Sequence, residues 1–233
     1  MLDADAVFHA GHRARLKEKL QDDKLTSYEK LELLLTYAIP RRDVRPLARS
    51  LIQKFRSVYG VFTASIDDLK SVSGVGYNTA LLIHLVHELM LVSHREILTD
   101  SKILSQPDVL KEYCRQLLSG KNIEEFHVLY MGAEGRLITD EIHSHGTIDS
   151  THVYPREIAK NAVRLNARSV ILVHNHPMSD NDFSSDDIAL TTDVEQMLRH
   201  FDIVLHDHLL VTSHGTVFSM REQPWLNLSL FCK

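Results

Sequence analysis

The 233 residues, 44% hydrophobic and 24% charged with a formal net charge of −5, have the make-up of an ordinary globular protein of one large domain or two smaller ones. No apolar stretch approaches the length of a membrane span, and the segment MLDADAVFHAGHRARLKEKL has early acids and no apolar core, which argues against a signal peptide. Cys114 and Cys232 lie far apart and form no CxxC pair, so a cytoplasmic protein with no membrane partner is expected.

The charge is unevenly spread. Residues 1–95 sum to +3 and residues 96–233 to −8, which suggests two modules with different partners. From Tyr28 to Met90 the pattern is helical. YEKLELLLTYAI sets Leu31, Leu34, Leu35 and Ala38 on one face at helix spacing. Pro40 ends that helix, and RRDVRPLARSLIQKFRS begins another with a basic outer face. SIDDLKSV is capped by Ser65 with acids in its first turn, and SGVGYNTALLIHLVHELM continues into a strongly apolar helix. Four or five short helices over residues 1–95 make a compact all-α domain.

EILTDSKIL loses that rhythm and Pro107 follows, so a linker is expected at residues 96–106 and a second domain at 107–229. After a helix around VLKEYCRQLLSG, EFHVLYMG and GRLITDEIHS read as strands joined by a turn at Ala133, Glu134 and Gly135. A helix with Pro155 in its first turn follows. SVILVHNH is a buried strand, SSDDIALTTDVEQMLRHF a helix, and IVLHDHLLVTS and TVFSM are strands. The second half is therefore α+β or α/β with a mixed sheet.

Three His-x-His pairs occur, His143/His145, His174/His176 and His206/His208. Alternate residues of a strand share a face, so each pair can present two imidazoles together. Only the middle pair has a third ligand at a workable offset, in His176-x7-Ser184-x2-Asp187. Two imidazoles and one carboxylate form a catalytic zinc set, with the fourth position open to water. Zinc lowers the pKa of that water and polarises a carbonyl, and a glutamate outside the coordination shell completes such a site. Ser184-x-x-Asp187 is also a capping box, which would fix where Asp187 points. The bland alternative is a hydrogen-bonded structural histidine.

His174, His176, Pro177, Ser184 and Asp187 resemble the JAMM motif of the MPN/JAB metalloprotease fold. VYPREIAKNAVRLNARSVILVHNHP, LHDHLLV, YEKLELLLTYAIPRRDVRPLA and SVSGVGYNTA are similar to segments of the RadC family. The resemblance implies a small all-α N-terminal domain followed by an α/β MPN/JAB (cytidine-deaminase-like) domain, α+β as a whole. By the same resemblance His174, His176 and Asp187 bind zinc, and Ser184 stabilises the oxyanion of the tetrahedral intermediate. RadC-like proteins usually continue HNHP with Ser-Gly, where this chain has Met178-Ser179, a loop change bearing on substrate access. The JAMM glutamate maps to NIEEFHVLYM. Glu124 is the matching position and Glu125 the rival, while Glu157, on the helix before the histidine strand, is a decoy. Strand alternation admits only one of the two neighbours.

Ser73-Gly74-Val75-Gly76 resembles a helix-hairpin-helix turn, in which Gly74, Val75 and Gly76 would approach a DNA phosphate without reading sequence. The Lys or Arg that often follows such a turn is absent; Tyr77, Asn78 and Thr79 follow instead. The leading expectation is a zinc-dependent hydrolase of JAMM type acting on peptide or isopeptide bonds. Its rivals are a metal-dependent nuclease or DNA-binding protein of DNA repair, and a zinc-containing binding module without catalysis.

Overall fold

The computed structural model describes residues 4–100, 106–146, 153–179, 182–224 and 231, with side chains from Gly11 onward. Among the described residues nine α-helices and five β-strands make an α+β protein. The chain divides into two compact units, Met1–Leu89 and Met90–Lys233. Among the described residues no helix is long and apolar enough to cross a membrane.

The first unit holds α1 (Ala4–Gln21), α2 (Ser27–Ala38), α3 (Arg45–Phe55), α4 (Val58–Thr63), α5 (Ile66–Lys70) and the start of α6 (Tyr77–Asp100). α2 opens with a capping box: Thr26 Oγ1 accepts the Glu29 N–H while the Glu29 carboxylate accepts the Thr26 N–H. Its Leu31 and Leu35 join Leu47, Leu51, Val61, Leu69, Val75 and Ile83 in one core. α1 has no counterpart among the expected elements. Its Leu16 packs with Leu25 and Leu33, so α2 is buried along a wider arc than the Leu31–Leu35 stripe implies.

α6 reaches into the segment expected as a linker. The helix runs unbroken through residues 96–100, because Leu91 and Leu98, seven residues apart on one face, pack into the core of the second unit. Residues 101–105 of that expected linker lie outside the described residues, as do 225–229 at the far end of the expected second domain.

The second unit continues with α7 (Pro107–Leu118), β1 (Glu124–Met131), β2 (Leu137–Gly146), α8 (Pro155–Arg164), β3 (Ser169–His176), α9 (Ser185–Arg199), β4 (Val204–Thr212) and β5 (Val217–Ser219). The strands form one mixed sheet in the order β2-β1-β3-β4-β5, parallel only between β3 and β4. A core with α7 covers one face, where Tyr113 and Leu118 meet Leu129, Ile171, Val173 and Leu209. α8 and α9 cover the other, where Ile158, Ala162, Val194 and Leu198 meet Phe126, Val128, Val170 and Leu172. β3 is central and buried on both faces, which is why it reads as the continuous apolar run SVILV before it turns polar.

Candidate metal centre

Alternation along β3 sends Val170, Leu172 and His174 to the α8/α9 face, and Ile171, Val173 and Asn175 to the α7 face. His174 is fully buried; His176, at the strand end, is partly open. Pro177 follows and the strand stops. The chain returns at Ser184, which caps α9. Ser184 Oγ accepts the Asp187 N–H at 3.2 Å, and Asp187 Oδ2 accepts both the N–H and the hydroxyl of Ser184 at 2.7 Å. The capping box thereby locks the carboxylate of α9's first turn towards the end of β3.

The three side chains converge. His174 Nε2 lies 3.2 Å from His176 Nε2 and 3.1 Å from Asp187 Oδ1, and His176 Nε2 lies 3.7 Å from Asp187 Oδ2. Four-coordinate zinc with ligands at ~2.0–2.1 Å has ligand–ligand edges of about 3.3 Å, and the two imidazole nitrogens and the carboxylate lie at separations of that order. Burial pushes the Asp187 carboxyl up, but the adjacent His174 imidazole and the hydrogen bonds from Ser184 hold it well below the usual carboxylate range, so it offers an anionic oxygen. Among the described residues this is the group of His, Cys, Asp and Glu side chains able to hold a metal.

Around the triangle the walls are aromatic and histidine-rich. Phe126 stacks on His174 with centroids 6.0 Å apart, and Phe183 lies 6.1 Å from His174 and 5.4 Å from His208. His208 Nε2 is 2.8 Å from His174 Nδ1, and Thr191 Oγ1 is 2.7 Å from His208 Nδ1. The sequence reading set His208 aside with His206 as a pair lacking a third ligand. A β-bulge explains why they are no pair: Val170 pairs with Leu205 and Ile171 with Asp207, leaving His206 as the extra residue. Thr191 carries no motif signal of its own, and His208 lies in the RadC-like segment LHDHLLV without an assigned role.

The two glutamates part at the start of β1. Phe126 is the register partner of His174, so Glu124, two residues earlier, shares the face of the triangle. Glu125 points to the other face, where its carboxylate meets His127 Nε2 at 3.0 Å and Lys121 Nζ at 3.2 Å. Its hydrogen bond from His127 holds that carboxyl below the ordinary range. Glu157 is a half-buried helix residue paired with Lys160. His143, on the edge strand β2, is bonded to the Tyr130 hydroxyl at 2.7 Å.

Gly74, Val75 and Gly76 belong to the first unit, in the turn between α5 and α6. Gly74 has φ +93°, a left-handed conformation that L side chains resist. Val75 is buried in the helical core, and space is open around Gly76.

Residues 104–225 match the family model of the RadC-like JAB domain. A UPF0758 protein from Fusobacterium nucleatum subsp. nucleatum is 39% identical over 223 residues, which span 91% of this chain and 96% of that protein.

Proposed function

The chain belongs to the RadC-like JAB family, and on that premise we propose that it is a zinc-dependent hydrolase of peptide amide bonds. His174, His176 and Asp187 hold the ion, Glu124 is the proton carrier and Ser184 the oxyanion donor. The observation that carries this reading is the convergence itself, two imidazole nitrogens 3.2 Å apart with the Asp187 carboxylate 3.1 Å from one through Oδ1 and 3.7 Å from the other through Oδ2, at the mouth of a central strand.

When bound, zinc supplies Lewis acidity, lowering the pKa of water and polarising a carbonyl. The remaining work falls to the chain. Glu124, at the strand end on the triangle's face, takes the proton of the attacking water and delivers it to the departing amine. Ser184 keeps its hydroxyl on Asp187 in the resting site and turns that hydrogen to the oxygen on which charge develops. Phe126 and Phe183 strip water from the buried side of His174, which strengthens every electrostatic interaction there.

Metal analysis of purified protein beside His174→Ala and Asp187→Ala tests the centre. About one zinc per chain in the parent and none in the variants is expected; equal zinc in all three ends the assignment. A parallel assay of zinc-loaded protein on a peptide library, single-stranded DNA and duplex DNA tests the bond class. Cleavage of DNA with no cleavage of peptides would replace the amide reading with the phosphodiester one.

A further inference from the structure

The strongest feature beyond the triangle is a run of hydrogen bonds that leaves His174 on the side away from the proposed ion. His174 Nδ1 and His208 Nε2 are 2.8 Å apart, and His208 Nδ1 and Thr191 Oγ1 are 2.7 Å apart. Thr191 Oγ1 ends the run by donating to the Asp187 carbonyl at 2.5 Å. His208 is fully buried, as is Thr191, so water does not substitute for any member.

The last link sets the direction of the others. A carbonyl oxygen only accepts, so the Thr191 hydrogen is committed to it and the hydroxyl offers His208 a lone pair. His208 Nδ1 then carries the hydrogen, which leaves His208 Nε2 as an acceptor. His174 must fill that acceptor from Nδ1. In the neutral ring the lone pair of His174 is then at Nε2, the atom turned towards His176 and Asp187. That sets a nitrogen lone pair 3.1 Å from an anionic carboxylate oxygen, an acceptor facing an acceptor, a contact that a metal ion or a proton between them relieves.

We propose that His208 and Thr191 are positioning residues that hold His174 as its Nδ1–H tautomer, aiming the Nε2 lone pair into the site. The same threonine ties the backbone of Asp187 to the imidazole run, so two of the three proposed ligands are oriented by one chain of four groups. His208 reaches this place through the β4 bulge, which turns it to the face of Leu172 and α9. The purpose assigned to the run rests on the metal reading above, while the hydrogen on His174 Nδ1 does not depend on it.

Two measurements test the proposal and separate its failure from that of the metal reading. Long-range nitrogen–proton NMR on zinc-free protein reads the His174 tautomer directly. A hydrogen on Nδ1 is expected in the parent, and a ring with its hydrogen on Nε2 alone overturns the proposal whether or not the protein takes up zinc. Chelator competition then compares zinc affinity of the parent with His208→Phe and Thr191→Val, each checked for folding by circular dichroism. A loss of about 10–100-fold is expected, the usual effect of removing a partner that orients a metal-bound histidine. His208→Gln, whose amide oxygen can accept from His174, should recover much of it, as should Thr191→Ser. Folded variants with parental zinc affinity overturn the positioning role. A parent that takes up no zinc sinks the metal reading, and the NMR result alone then decides the tautomer.

Discussion

Phe126 and His174 are register partners across β1 and β3, and their rings stack with an interplanar angle of 14°. This one relationship assigns faces to both strands. It sets the imidazole against an apolar plate and, by alternation, determines which of the two neighbouring glutamates shares its side of the sheet.

Glu124→Gln is therefore expected to keep zinc and fold while lowering kcat by about 10²–10⁴-fold, the ordinary worth of a positioned proton carrier. Glu125→Gln should do the reverse. It breaks the contacts with His127 and Lys121 on the far face, costing ~1–3 kcal/mol of stability with turnover of the folded protein preserved. Thermal melts and steady-state kinetics on the two variants decide it; the opposite pattern hands the role to Glu125.

Ser184 has two duties, and they can be measured apart. As N-cap of α9 it accepts the Asp187 N–H, so Ser184→Ala should cost about 0.5–2 kcal/mol. Losing an oxyanion donor should also lower kcat by ~10²–10³-fold with KM little changed. Ser184→Asp restores a capping acceptor but supplies no hydroxyl hydrogen, so stability should return while kcat stays low. Recovery of kcat along with stability would reduce Ser184 to a cap.

The hairpin of the first unit separates in a similar way. Gly74→Ala forces a side chain into a left-handed backbone and should cost ~1–3 kcal/mol. Gly76→Ala meets open space and should leave the melting temperature nearly unchanged. That makes Gly76→Ala the clean probe of the DNA reading: reduced, salt-dependent DNA binding without loss of stability supports contact at this turn. Unchanged binding by the same variant removes Gly76 from the contact.

The local parts of this architecture were legible in the sequence, and the parts set by distant contacts were not. His174, His176 and Asp187 could be grouped because a strand, a proline stop and a capped helix each leave a short-range signature. The helix over residues 96–100 is not legible as such, because Leu98 is a core residue only when the second unit supplies its partners. His208 stands 34 residues from His174, and the bulge at His206 breaks the period-two rule by which the third His-x-His pair was judged. Thr191 is an unremarkable helix residue until β4 lies beside it. Which of Glu124 and Glu125 shares the face of His174 is a parity question, which only the register of β1 on β3 answers.

Acid should weaken the zinc-free fold for a reason separate from the metal. Burial pushes the pKa of His143 down, against the pull of Glu141 and Glu157, and burial with the nearby Arg221 does the same for His206. In the unfolded chain both titrate near the ordinary histidine value of about 6.5. Between that value and their lower folded pKa values the unfolded state binds more protons than the folded one, so stability is full above about pH 6.5 and declines as pH falls through that window. The melting temperature of the zinc-free protein is expected to drop between about pH 7.5 and 5.5, before the carboxylates titrate. His206→Gln should flatten the decline, since the group that must stay neutral in the fold is gone. A melting temperature that holds or rises over that window, or an unchanged slope in the variant, would show that these histidines accept protons within the folded state as readily as outside it.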